Sequence, residues 1–184
     1  MTKKSKQVAN KNLLGLWCFD KSTISDMKKL IKETKHDGNE RAGLLCSDNK
    51  GKLKLYAKCT GNSCSIEKYE EDCKEGTVKI GTFHTHPKGN NLNLHDIQKS
   101  LERKEPIQCI GKATNGKIEC FINKENYADL MEEKDTIDAM VKRGHEMQNC
   151  RELIQNNEPI LKLYTNDYIS RNLKKFNPSD YIKK

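Results

Sequence analysis

The chain has 184 residues, 34% hydrophobic and 33% charged, which fits one domain of ordinary size with appendages and a modest core, and excludes wholesale disorder. Its formal net charge of +8 sits at the ends: residues 1–12 carry Lys3, Lys4, Lys6 and Lys11, and residues 160–184 carry six Lys/Arg against Asp167 and Asp180. The body is therefore balanced, and solvated basic tails are expected, with nucleic acid as the alternative partner.

The start, "MTKKSKQVANKN", leads into only a short apolar run, "LLGLWCF", with neither a signal-peptide core nor a membrane span, so a cytoplasmic protein with no membrane partner is expected. "LLGLWCFD" reads as a short strand. Ser22 or Thr23 then caps a helix whose apolar positions Ile24, Met27, Leu30 and Ile31 keep helical spacing and which ends near "KHDGN". "ERAGLLCSD" is a buried strand, "NKGK" a turn and "LKLYAKC" an alternating strand, together a hairpin. "TGNSCSIEKYEEDCKEG" has no clean period and reads as loop or short helix. "TVKIGTFHTH" resumes as a strand, and a helix runs from about Leu94 to Arg103. "IQCIGKATNGKIECFI" predicts two strands joined across Asn115-Gly116 by a type I′ turn. From Tyr127 onward, apolar residues at three- and four-residue steps predict helix up to Pro159. The fold class is α+β, a mixed sheet with helices packed around it. Three segments follow: a basic tail over 1–12, a core over 13–125, and a helical C-terminal extension with its basic tail over 126–184. The helical face from Leu130 to Ile154 packs on the protein's own sheet or serves as a homodimer seam.

Eight cysteines, at 18, 46, 59, 64, 73, 109, 120 and 150, include no CxxC pair. In a cytosolic chain these are expected as free thiols rather than a disulfide framework or a zinc ribbon.

The run "GTFHTHPKGNNLNLHDI" carries the chemistry. Residues i and i+2 of a strand share a face, so His84 and His86 project together, as two imidazoles gripping one ion require. Pro87 ends the strand, "KGNN" reverses the chain, and Asp96 falls in the first turn of the next helix, where its carboxylate can swing back. Three such ligands leave one tetrahedral position open, the arrangement of catalytic zinc. Two plainer readings stand beside this one. Surface strands carry histidine pairs too, and Asn93-x-x-Asp96 is also an N-cap with its N3 acid. His95, one step along the helix from Asp96, diverges from it by about 100° and is not taken as a ligand. Glu40, at the head of the buried strand, is either a general base or that strand's solvated end.

Glu40, then Gly43-Leu44-Leu45, then His84-Thr85-His86-Pro87, then Asn93-x-x-Asp96, resembles the JAMM motif of the JAB/MPN zinc metalloproteases, "E…H-S/T-H-P…S-x-x-D". The likeness covers the element order from about Leu13 to Asn123. It implies a JAMM/MPN-like, cytidine-deaminase-like sheet and a Zn2+ isopeptidase that removes or processes ubiquitin or ubiquitin-like modifiers at a C-terminal Gly-Gly tail. His84, His86 and Asp96 would be the zinc ligands, Glu40 the acid/base, and Asn93 would stand where the family's serine meets the oxyanion. The stretch between His86 and Asp96 is one residue shorter than the family's. In the resembling deubiquitinases, insertions near the Cys59–Cys64–Cys73 segment flank the groove for the modifier's tail. Alternatives from other classes are an MPN-type binding module with an idle site and a DNA-associated protein like the RadC branch.

Overall fold

The computed structural model describes residues 17–61, 73–123, 133–147 and 151–182. The N-terminal tail, most of the Cys59–Cys73 segment and the start of the C-terminal helical region lie outside the described residues. The fold is α+β: a mixed seven-stranded sheet in the order β1-β3-β2-β4-β5-β6-β7, flanked by helices. Its strands are β1 (Cys18–Phe19), β2 (Arg41–Ser47), β3 (Lys52–Thr60), β4 (Val78–His86), β5 (Ile107–Lys112), β6 (Ile118–Asn123) and β7 (Leu173–Phe176). The helices are α1 (Lys21–Asp37), α2 (Leu94–Glu102), α3 (Lys134–Met147) and α4 (Arg151–Asn172). No helix among the described residues is long and apolar enough to cross a membrane.

The chain divides into two compact units, one of Met1–Asn91, Glu105–Ile122 and Lys175–Lys184, the other of Leu92–Lys104 and Asn123–Lys174. In the first, α1 lays its stripe of Ile24, Met27, Leu30 and Ile31 against the sheet, where Phe83 and Leu45 are fully buried. Each such side chain contributes roughly 1.5–3 kcal/mol. All seven residues of β2 are buried, and the strand lies inside the sheet between β3 and β4. In the second unit, α2 buries Leu94, Ile97 and Leu101, and Gln98 Nε2 donates to Asp138 Oδ1 of α3 at 2.8 Å. Tyr168 of α4 is fully buried. Arg171, at the end of α4, pairs with Glu133 at 2.8 Å and with Asp167 one turn back.

Several expectations need correction. The cap of α1 is Asp20, whose Oδ1 accepts from Ser22 N–H; Thr23 is buried instead and donates to Leu53 O at 3.0 Å. Helix does not stop at Pro159: α4 runs through it to Asn172, and the chain then adds β7 to the sheet. A proline inside a helix costs about 3 kcal/mol, and burial of Thr165 and Tyr168 in the last turns offsets it. Of the C-terminal basic residues, Arg171 is ion-paired with Glu133, and Lys175, more than half exposed, pairs with Glu119 at 2.7 Å.

The β5–β6 connection is not a two-residue turn. Gly116 alone has a positive φ, 72°, and its N–H donates to Lys112 O at 2.8 Å, while Lys112 N–H donates to Lys117 O, closing a four-residue loop. A type I′ turn needs φ > 0 at both central residues. This loop moves the register by two. Cys109 then faces Cys120 rather than Ile122, and the pair is disulfide-bonded, as is Cys46 with Cys73. Among the described residues the free cysteines are Cys18 and Cys59; burial pushes the Cys59 thiol up.

Candidate metal centre

β4 ends on the two histidines because its ladder is held on both sides. Ala42 of β2 stands opposite His84 on one side, and β5 runs parallel on the other, with Ile110 opposite His84 and Lys112 opposite His86. His84 Nε2 and His86 Nε2 approach to 2.8 Å, with ring centroids 4.8 Å apart. His86, buried, donates its Nδ1–H to Asn90 O at 2.8 Å. That donation assigns the tautomer: Nε2 carries the lone pair and faces His84.

The turn after β4 is clamped. His86 O accepts from Gly89 N–H at 3.0 Å and from Ala113 N–H at 3.1 Å. Gly89 has φ +68°, and a Cβ there would meet Thr114 Oγ1 at 2.0 Å, so glycine is required both for conformation and for space. Asn93 follows as the N-cap of α2. Its Oδ1 accepts from Asp96 N–H at 3.0 Å, and Asp96 Oδ2 accepts from Asn93 N–H at 2.9 Å, a complete capping box. Asp96 nonetheless keeps company with the histidines: along this continuous stretch, one ligand atom each of His84, His86 and Asp96 lies within 4.8 Å of the others. His95 is exposed and outside that group.

These residues fit a zinc ion. Two imidazole Nε2 atoms and a carboxylate oxygen are a zinc donor set, and the Asn90 carbonyl supplies the outer partner that a ligating histidine ordinarily has. Two nitrogens on one tetrahedral zinc stand about 3.3 Å apart, so the rings need to part by about half an ångström.

Glu40 is half-buried and precedes β2. The β2–β4 ladder runs to Ala42 opposite His84, and Glu40 lies two residues beyond that pair. The backbone there is fixed from both directions. Glu40 O accepts from Gly61 N–H at 2.9 Å, and Arg41 N–H donates to Thr85 Oγ1 at 2.8 Å. Thr85, fully buried between the two histidines in sequence, also bonds Thr34 Oγ1 of α1 at 2.7 Å. The Arg41 guanidinium pairs with Asp37 at 2.6 Å and Glu33 at 3.0 Å. Arg41 and the Asn39 N–H hold the Asp37 carboxyl well below the usual carboxylate range. The Arg41–Thr85–Thr34 contacts were not legible in the sequence, where a threonine in a strand and an arginine after a glutamate give no signal.

No family model matches the chain, and no curated protein matches it. Among solved structures the chain is similar to a JAB1/MPN domain protein from Archaeoglobus fulgidus, at 14% identity and TM-score 0.40, covering 58% of this chain and 86% of that one. A structure described as a JAMM metalloprotease-like zinc site in the proteasome and signalosome is similar at 15% identity and TM-score 0.39, covering 58% and 87%. A protein of Desulfitobacterium hafniense is similar at 16% identity and TM-score 0.36, covering 57% and 82%.

Proposed function

We propose that this chain is a zinc-dependent isopeptidase of JAMM type acting on ubiquitin or ubiquitin-like conjugates. The observation that carries the hydrolase part is the convergence of His84, His86 and Asp96 ligand atoms within 4.8 Å; the role of Glu40 and the substrate class rest on the motif resemblance.

His84 Nε2, His86 Nε2 and Asp96 would hold the ion. Zinc so bound lowers the pKa of a water toward neutrality and polarises the scissile carbonyl. Glu40 takes the proton from the attacking water and delivers it to the departing lysine amine as the C–N bond breaks. Asn93 has its Oδ1 engaged in the cap, which leaves Nδ2 as the end that donates to the developing oxyanion. A cytoplasmic setting is compatible with the Cys109–Cys120 disulfide, both of whose residues are fully buried, because exchange with soluble thiols needs access; Cys73 of the other disulfide is partly exposed.

The test is a panel of isopeptide-linked and C-terminally extended ubiquitin-like substrates, assayed with and without chelator, alongside Glu40→Gln. Chelator-sensitive cleavage that Glu40→Gln abolishes is expected. A zinc-loaded chain that cleaves no member of the panel contradicts the proposal and favours a binding module.

A further inference from the structure

Lys112 ends β5, opposite His86 in the β4–β5 ladder. A lysine at the mouth of a hairpin ordinarily reaches into water, yet this one is only 7% exposed. Its Nζ donates to Asn91 Oδ1 at 2.6 Å and pairs with Glu119 Oε2 at 3.0 Å. The other Glu119 oxygen pairs with Lys175 Nζ of β7 at 2.7 Å. Burial alone would raise the Glu119 carboxyl, but hydrogen bonds from Lys175 and Lys112 outweigh it and hold the group below its ordinary range. The carboxylate therefore stays charged and keeps the ammonium in place.

Stability gives little reason for this arrangement. Taking an ion pair out of water costs about several kcal/mol per ion, and apolar residues of like volume in its place are often neutral or stabilising. What the ammonium does grip is the histidine turn. Asn91 directly follows Asn90, whose carbonyl receives the His86 Nδ1–H. The adjoining loop residues hold the same turn, through Ala113 N–H on His86 O and Thr114 against Gly89. Lys112 supplies the polar anchor at the turn's far end.

We propose that Lys112 is a positioning residue for the metal centre: anchored by Glu119, its ammonium fixes the 87–91 turn through Asn91, so that Asn90 O selects the His86 tautomer whose Nε2 faces the ion. The proposal rests on the zinc reading above. Outer partners that orient a ligating histidine are worth about 10–100-fold in metal affinity.

The experiment measures zinc affinity of the full chain by competition with a chromogenic chelator, together with imidazole 15N shifts of the zinc-free protein, for wild type, Lys112→Met, Asn91→Leu and Asn91→Asp. Lys112→Met and Asn91→Leu should bind zinc about 10–100-fold more weakly, and their zinc-free His86 should become a mixture of tautomers. Asn91→Asp, which keeps an acceptor for the ammonium, should match wild type in both readouts. Should Lys112→Met fail to fold, Asn91→Leu breaks the same hydrogen bond from the exposed end and decides alone. Wild-type affinity and an unchanged tautomer in a folded Lys112→Met or Asn91→Leu would overturn the proposal while leaving the zinc reading intact. A wild-type chain that binds no zinc contradicts that reading instead, and the tautomer comparison then decides the role of Lys112 without it.

Discussion

The two halves of the histidine-to-aspartate stretch are built under different constraints. At the end of β4, His84 and His86 turn their Nε2 atoms toward each other, and the remaining nitrogen of His86 is bonded to a backbone carbonyl. At the start of α2, Asn93 and Asp96 form a reciprocal capping box, which the helix requires whether or not a metal exists. The hydrogen bond between the two imidazoles is worth about 0.5–1.5 kcal/mol, and a capping box stabilises its helix by about 1 kcal/mol. Neither end points to a ligand by itself; the approach of one ligand atom each of His84, His86 and Asp96 to within 4.8 Å of one another does.

Substitutions can break that contrast. The largest effect belongs to Glu40, outside that stretch: Glu40→Gln should lower kcat by about 10²–10⁴-fold, the contribution of a general acid/base, with zinc content unchanged; steady-state kinetics on the loaded protein checks it. On the helix side, Asn93→Ala should lower kcat by about 10²–10³-fold if its amide meets the oxyanion, and cost about 1 kcal/mol of stability through the lost cap. Asn93→Ser keeps a cap and should retain the stability in thermal unfolding. Asp96→Asn keeps an oxygen for the Asn93 N–H but loses the charge. Zinc affinity should therefore fall by more than about 100-fold, beyond the loss of an outer partner, while the melting temperature moves little. Equal affinity would make Asp96 a cap and nothing more.

Much of the fold was legible because β2, β3, β4 and α1 are local patterns: apolar runs, alternation and a 3.6-residue stripe. The errors came where one local choice propagates. Reading Asn115-Gly116 as a two-residue turn shifted the β5–β6 register and hid the Cys109–Cys120 pair, which the four-residue loop places directly opposite. Pro159 ended the predicted helix because the burial of Tyr168 that offsets it is tertiary and leaves no mark in so polar a segment. Of the spaced motif Glu40, His84, His86, Asn93 and Asp96, the structure brings the ligand atoms of His84, His86 and Asp96 together. Their supports were not legible: Lys112 looks like any hairpin lysine, and Thr85 like any strand threonine, until the ladder brings partners to them.

The smallest expected effect concerns acid stability beside the site. Asp37, held by Arg41, and Glu119, held by Lys175 and Lys112 against its burial, both titrate below their ordinary values in the folded chain. Their contribution is complete above the unfolded carboxylate range of about 4 and is lost as the pH falls through their folded values. Asp37→Asn should therefore flatten the fall of the melting temperature below about pH 4. An unchanged acid profile would show that the Arg41 pair adds nothing.

The proposed hydrolysis depends most directly on metal binding by the histidine pair. After exhaustive dialysis, metal analysis of the wild-type chain should find about one zinc per chain, the stoichiometry of a single tetrahedral site. His86→Ala, which leaves the α2 capping box untouched, should find essentially none. No zinc in the wild type, or the same content in His86→Ala, would contradict the zinc centre on which the proposed hydrolysis rests.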